Sequence, residues 1–166
     1  TLRNCRILNC TLYNSTDHHQ GRGAGVWVNA CTNFALLDSQ IAGNYSYGDQ
    51  WHNRGFAGGV MALGSGGIIS NCQFLSNRAR ASGGNYSFTY SRAGALYFSG
   101  GTNWLVDRTI FASNRADHAN PATLTRGGAI YVDGAPPIQF RNCLWAYNNA
   151  LYEGDGIYLE GGRLDF

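Results

Sequence analysis

The chain repeats a short pattern of positions in which small residues precede an apolar strand. Five copies occur, at Ala24–Val28, Gly58–Ala62, Gly94–Phe98, Gly128–Val132 and Asp155–Leu159. Their branched apolar residues stand at positions 26, 60, 96, 130 and 157, so the copies are 34, 36, 34 and 27 residues apart. A nearly constant spacing of this length predicts a repeat architecture in which each copy marks one structural unit.

A second block recurs in the same phase as the first, and the segment 126–150 contains both most clearly. Its copies begin with an apolar residue and end three positions later, mostly with asparagine: Leu12–Ser15, Ile41–Asn44, Phe74–Asn77, Phe111–Asn114 and Trp145–Asn148. A column of small residues precedes the block: Cys10, Ser39, Cys72, Thr109 and Cys143. Further upstream lies an apolar column: Ile7, Leu36, Ile69, Val106 and Phe140.

No stretch of the chain shows a helical period of sufficient length, so we predict an all-β fold. The expected architecture is a single parallel β-helix of about five coils over residues 1–166, with three short strands in each coil. Coils of this kind stack at about 4.8 Å, which places equivalent residues over one another. The recurring asparagines then form a ladder of hydrogen-bonded amides: Asn44, Asn77, Asn114 and Asn148. A β-sandwich is the alternative, but a sandwich requires no fixed period.

The segments that follow the asparagine positions differ in length and sequence. They are His18–Gly23, Tyr47–Ala57, Arg80–Ala93, Asp117–Gly127 and Leu151–Gly154. Because insertions at one corner of successive coils cluster along one edge, we expect these segments to form a single surface. Their aromatic rings can stack on sugars, and their arginines can pair with uronate carboxylates. The candidate ligand-binding residues are Trp51, His52, Arg54, Tyr86, Tyr90, Arg92, His118 and Arg126. The alternative is that the aromatic side chains pack against the solenoid wall and bind nothing.

The five cysteines do not predict a disulfide framework. Cys10, Cys72 and Cys143 fall in one column with other residues between them, so the nearest pair is two coils, or about 9.6 Å, apart. This separation exceeds the reach of a disulfide. We therefore expect buried free thiols that act as small apolar residues.

Composition argues against several classes of function. Only 13% of the residues are charged and the net charge is +2, whereas a nucleic-acid partner requires many clustered cations. All 12 basic residues are arginine, so no lysine can act as a base or form a Schiff base. No apolar run approaches the roughly 18 residues of a membrane span, and we expect no membrane insertion of this segment. The sequence contains neither HExxH nor paired CxxC, so no metal site is predicted.

The repeats resemble those of a known family. Gly127–Ile130, Phe74–Asn77 and Phe111–Asn114 are similar to the GGA[I/L/V] and FxxN repeats of polymorphic outer membrane proteins and related right-handed β-helix repeats. The resemblance implies a right-handed solenoid, the scaffold that pectate lyases also use. For function it implies a secreted or cell-surface structural and adhesive module, without a cofactor, that binds a polysaccharide or a cell-surface protein through the edge of variable segments.

Two other hypotheses remain open. The chain could be a polysaccharide lyase or glycoside hydrolase of the pectate-lyase type, for which calcium is the expected cofactor and for which the sequence identifies no catalytic residue. It could also be a ligand-free spacer or filament segment. Neither the beginning nor the end of the chain resembles the polar cap that solenoids need. We expect the segment to continue into further coils or to stack end to end.

Overall fold

The computed structural model describes residues 1–14, 20–48, 54–82, 89–118, 124–134 and 137–166, in which all the regular structure is β-strand. Sheet A contains β1 (Leu2–Arg3), β6 (Phe34–Leu37), β11 (Gly67–Ser70), β16 (Trp104–Asp107), β21 (Ile138–Arg141) and β25 (Leu164–Asp165). Sheet B contains β2 (Arg6–Leu8), β7 (Gln40–Ala42), β12 (Gln73–Leu75), β17 (Ile110–Ala112) and β22 (Leu144–Ala146). Sheet C contains β3 (Thr11–Asn14), β8 (Tyr45–Gly48), β13 (Arg78–Ala81), β18 (Arg115–His118) and β23 (Asn149–Ala150).

Two further sheets complete each coil. Sheet D contains β4 (Gln20–Arg22), β9 (Arg54–Phe56), β14 (Tyr90–Arg92) and β19 (Leu124–Arg126). Sheet E contains β5 (Val26–Asn29), β10 (Val60–Leu63), β15 (Leu96–Ser99), β20 (Ile130–Asp133) and β24 (Ile157–Leu159). None of the described residues belongs to a helix long and apolar enough to cross a membrane.

Each strand pairs in parallel with the equivalent strands of the neighbouring coils. In sheet A, for example, Ile69 lies between Leu36 of the preceding coil and Val106 of the following one. The same order repeats in all five sheets. The predicted all-β parallel solenoid is therefore confirmed.

A coil contains five short strands, whereas the sequence pattern predicted three. One of the strand ends that the sequence pattern did not predict lies between sheets A and B. A single residue there adopts a left-handed backbone, as Asp38 (φ 51°) and Asn71 (φ 53°) do. Asparagine and aspartate tolerate this conformation better than most residues, and it ends the strand. Sheet D was not predicted because its strands show no apolar alternation, and small residues such as Gly55 and Ser91 occupy its inward positions.

Side chains that point into the solenoid stack as like residues. The rings of Phe74 and Phe111 lie 5.2 Å apart at an interplanar angle of 15°, and Trp145 continues the stack at 4.5 Å from Phe111. Phe74 and Phe111 are completely buried. Burial of each large apolar side chain contributes about 1.5–3 kcal/mol, so this core is a main source of stability.

The asparagine ladder is present in the structure. Asn44 donates from Nδ2 to Oδ1 of Asn77 at 2.9 Å, Asn77 donates to Asn114 at 3.0 Å, and Asn114 donates to Asn148 at 2.9 Å. Each of the four amides also donates to a backbone carbonyl at 2.8 to 3.0 Å. The ladder therefore ties neighbouring coils together inside the fold.

The register of the first coil differs by five residues from the prediction. Cys10 occupies the asparagine column, where its backbone N–H donates to Oδ1 of Asn44 at 3.0 Å. Cys5 shares the column of Cys72 and Cys143 instead. Grouping Cys10 with those two cysteines was wrong, because the first coil lacks the asparagine and the similar segment 12–15 lies five residues too late. All five thiols are free, and Cys72 alone is fully buried.

Candidate functional site

Four of the eight predicted ligand-binding residues lie in sheet D. Arg54 belongs to β9, Tyr90 and Arg92 to β14, and Arg126 to β19. His118 ends β18 in sheet C. The other three fall outside the described residues: Trp51, His52 and Tyr86. The variable segments therefore include an ordered sheet that holds arginine side chains at fixed positions.

The direction of the sheet D side chains follows from one hydrogen bond. Ser91 donates from Oγ to the carbonyl of Ala79 at 2.6 Å, so its side chain faces sheet C. Because side chains alternate along a strand, Tyr90 and Arg92 point away from sheet C. The guanidinium of Arg92 lies 4.5 Å from the ring centroid of Tyr131 in sheet E. The outward sides of sheets D and E therefore meet.

We call this region the D/E surface. It consists of Arg22, Arg54, Phe56, Tyr90, Arg92 and Arg126 from sheet D, Trp27, Met61, Tyr97, Tyr131, Asp133 and Tyr158 from sheet E, and Glu153 and Glu160 beside them.

Tyrosines of sheet E form a stacked column in this region, in which Tyr97 and Tyr131 are buried. The ring of Tyr131 lies 5.4 Å from that of Tyr97 and 5.3 Å from that of Tyr158. Arg92 covers Tyr131, and Arg126 lies 4.7 Å from the ring centroid of Tyr158. Cation–π contacts of this kind orient the guanidinium groups on the column.

Three carboxylates lie beside the two arginines. Arg92 lies 3.6 Å from Asp133 and 3.3 Å from Glu160. Arg126 lies 2.7 Å from Glu153 and 3.8 Å from Glu160. The three carboxylate side chains are about 40% exposed, so this part of the surface offers water-accessible acceptors next to fixed donors.

The hydroxyl of Tyr97 joins this group by donating to Asp133 at 2.7 Å. Burial raises the pKa of Tyr97, and the hydrogen bond to Asp133 raises it further. Tyr97 therefore remains a protonated donor at any physiological pH. The sequence interpretation missed Tyr97, Asp133 and Glu160 as site residues because they stand next to core positions. For Tyr97, the available signal was its place between the apolar residues Leu96 and Phe98, which pack into a different core cluster from Tyr97.

The other end of the D/E surface presents an exposed aromatic ring. Trp27 in β5 is 54% exposed, and the guanidinium of Arg22 lies 5.9 Å from its centroid. Trp27 stands in the same column as Met61 and Tyr97, one and two coils away. The described part of the surface thus runs from an exposed indole to a cluster of charged groups.

The D/E surface does not fit a calcium ion. Calcium takes about six to eight oxygen ligands. Here Asp133, Glu153 and Glu160 each lie within 3.6 Å of an arginine, which competes for their oxygens. Within the described ranges, no three histidine, cysteine or acidic side chains come together as a metal-binding group. We therefore assign no calcium to this surface.

His118 is half-buried at the end of β18, and its Nδ1 atom is enclosed without a hydrogen-bond partner among the described residues. Burial lowers its pKa, with a smaller lowering from Arg80, while nearby Asp117 acts in the opposite direction. The folded state therefore favours the neutral imidazole, and the unfolded chain binds a proton more readily. The structure gives no ligand role to His118.

We expect His118 to make the protein less stable in acid. Its contribution is complete above the ordinary histidine pKa of about 6.5 and is lost progressively as the pH falls below that value. Urea unfolding of the wild type and His118→Gln at pH 8 and pH 5 measures this effect, and the variant should lose less stability between the two. The three other histidines are common to both proteins, so the difference isolates His118. Equal losses of stability in the two proteins would show that His118 does not cause the acid sensitivity.

Comparison with known proteins agrees with the architecture. The family model described as a right-handed β-helix region matches residues 1–164. No curated protein and no solved structure matches the chain.

Proposed function

Because the chain belongs to the right-handed β-helix family, we propose that it is a structural and adhesive module, outside the cell or at the cell surface, that binds a glycan through the D/E surface. The observation that carries this proposal is the exposed indole of Trp27 on the same surface as the charged group around Arg92 and Arg126. Sugars present apolar faces that stack on aromatic rings and hydroxyls that bond to charged and polar groups. The surface offers both kinds of contact.

The rigid sheets favour binding of an extended ligand. Trp27 and Tyr158 lie in the first and last strands of sheet E, so the column between them crosses the described solenoid. The three strands between them pair in parallel on both sides, which limits backbone movement and lowers the entropy lost on binding. Met61, Tyr97 and Tyr131 are buried in the middle of this column. An oligosaccharide that lies across the coils would therefore contact Trp27 at one end and the charged groups around Arg92 and Arg126 at the other.

A glycan array followed by titration of the strongest ligand tests the proposal. We expect Trp27→Ala to weaken binding about tenfold, because it removes the stacking platform. Tyr147→Ala is the matched control, since Tyr147 is 91% exposed and lies between sheets B and C. Absence of glycan binding, or equal losses in the two variants, would count against the proposal.

One observation favours a second candidate, a glycoside hydrolase or lyase. Asp133 and Glu160 occupy equivalent positions in neighbouring coils, and Arg92 contacts both. Equivalent positions are about 4.8 Å apart. Retaining glycosidases place their two carboxyl groups about 5–5.5 Å apart. The backbone spacing is near this separation, and the candidate assigns the roles of acid and nucleophile to the pair.

Incubation with polygalacturonate and with a neutral glucan separates this candidate from simple adhesion. Hydrolysis would release reducing ends, and elimination would produce unsaturated uronates. Glu160→Gln should then abolish turnover while the glycan still binds. Binding without turnover supports the adhesive module, and turnover that depends on Glu160 replaces it with the enzyme.

A further inference from the structure

The outward side of sheet C carries a second arginine and tyrosine cluster, which the sequence interpretation did not identify as a site. We call it the C face and define it by Tyr13, Tyr45, Tyr47, Arg78, Arg80, Arg115 and Asp117. These side chains alternate with inward ones such as Ala79 and Ala116, which are completely buried. The C face is separate from the D/E surface, because sheet D meets sheet C through Ser91 on its inward side.

Three guanidinium groups on this face surround one carboxylate. Asp117 is only 1% exposed. Arg78 donates to it through Nε at 3.0 and 3.1 Å and through an Nη at 2.5 Å. Arg115 lies 2.9 Å from the same carboxylate, and Arg80 lies 3.9 Å away. Three positive charges against one negative charge leave a local net charge of +2.

The bonding within the cluster leaves donors available. Arg78 alone satisfies the carboxylate with a bidentate contact, the strongest arrangement for this pair. Nε of Arg80 is buried and has no hydrogen-bond partner among the described residues. The side chains of Arg78 and Arg115 are 36% and 49% exposed. Arg78 and Arg115 can therefore offer N–H groups to a ligand while Asp117 stays neutralised.

Stacked tyrosines adjoin the arginines. Tyr45 and Tyr47 lie 5.6 Å apart, and the ring of Tyr13 lies 5.3 Å from that of Tyr47. Arg78 lies 5.3 Å from the centroid of Tyr45. Tyr13 is 54% exposed, so its ring face extends the cluster towards the first coil. Tyr45 and Tyr47 are partly buried, and Tyr13 lies two coils from Arg78. An exposed ring on the same face as surplus positive charge suits a ligand that is extended, cyclic and anionic.

We propose that the C face binds a polysaccharide that carries carboxylate groups, such as a polyuronate. Arg115 and Arg78 pair with its carboxylates, and a sugar ring packs on Tyr13. The inference takes its ligand class from the proposed glycan binding, but its geometry is independent of the D/E surface. Three arginines are too few for the phosphate contacts of a nucleic acid, which commonly number about 6–10.

Calorimetric titration with a galacturonate oligomer, and with a neutral glucan oligomer of equal length, tests this inference. We expect binding of the galacturonate only, and weaker binding at higher salt. Arg115→Gln should reduce its affinity about tenfold by removing a charged hydrogen bond. Arg115→Lys should recover part of the loss, since it restores the charge without the planar donor.

Two control variants make the outcome specific. Arg108→Gln removes an arginine that is 66% exposed and pairs with Asp107 outside the C face, and it should leave affinity unchanged. Arg126→Gln alters the D/E surface. Circular dichroism checks folding of every variant, and Asp117 keeps Arg78 as its partner when Arg115 is replaced.

A loss with Arg115→Gln that Arg108→Gln does not share supports the inference. A loss with Arg126→Gln alone overturns it and supports the D/E surface as the glycan site. If the wild type binds no acidic or neutral glycan, both proposals fail. Preference for a single-stranded oligonucleotide over the galacturonate also overturns the inference and identifies a different ligand class.

Discussion

Replacement of Asn77 by alanine is expected to lower the free energy of unfolding by about 3–5 kcal/mol, because it breaks the asparagine ladder at its centre. The Asn77 amide donates to the carbonyl of Ile41 at 2.8 Å and to Asn114 at 3.0 Å. Its oxygen accepts from the backbone and the side chain of Asn44 at 3.2 and 2.9 Å. Alanine removes these four bonds in a completely buried place. Buried donors and acceptors left without partners each cost about 1–3 kcal/mol.

Urea unfolding followed by circular dichroism measures the change, with Asn103→Ala as the matched control. Asn103 is exposed and follows a turn between sheets E and A. Its replacement should alter stability by no more than about 0.5 kcal/mol. Similar midpoints for the two variants would show that the ladder contributes little, and that the stacked core alone holds the coils together.

The fold was predictable because stacking makes equivalent residues neighbours. Phe74 and Phe111 recur in the sequence at the same phase, and in the structure their rings are stacked. The predicted register was wrong where a repeated position holds a different type of residue. Cys10 occupies the place of an asparagine in the first coil, and the pattern match moved five residues downstream.

The candidate sites were predictable only in part. Arg92 and Arg126 stood out as arginines near aromatic residues, but sheet D itself gave no signal, because strand pairing through the backbone requires no apolar pattern. The contact between Arg78 and Asp117 joins residues 39 positions apart. Only the register of sheet C, which places β13 beside β18, brings them together. The predicted column of Asn77 and Asn114 implies the same register, so the repeat spacing did place these residues together, but the segments from Arg80 and Asp117 onward were interpreted as variable loops.

Replacement of Gly94 by alanine is expected to destabilise the protein by about 3 kcal/mol, because no space exists for a side chain there. A Cβ atom at this position would overlap the backbone N of Arg115 and the carbonyl O of Gly128. Both belong to backbone that parallel strand pairing holds in place, so the neighbours cannot move without loss of hydrogen bonds. The equivalent glycines of adjacent coils, Gly58 and Gly128, would meet the same kind of obstacle.

Gly156→Ala is the control that separates close packing from the general effect of replacing glycine. A Cβ atom at Gly156 meets nothing within 4 Å, and the equivalent position one coil earlier is Ala129. This variant should keep its stability or gain up to about 1 kcal/mol, because alanine reduces the entropy of the unfolded chain. If Gly94→Ala and Gly156→Ala unfold at the same urea concentration, the close approach of the Arg115 backbone does not explain why glycine stands at position 94.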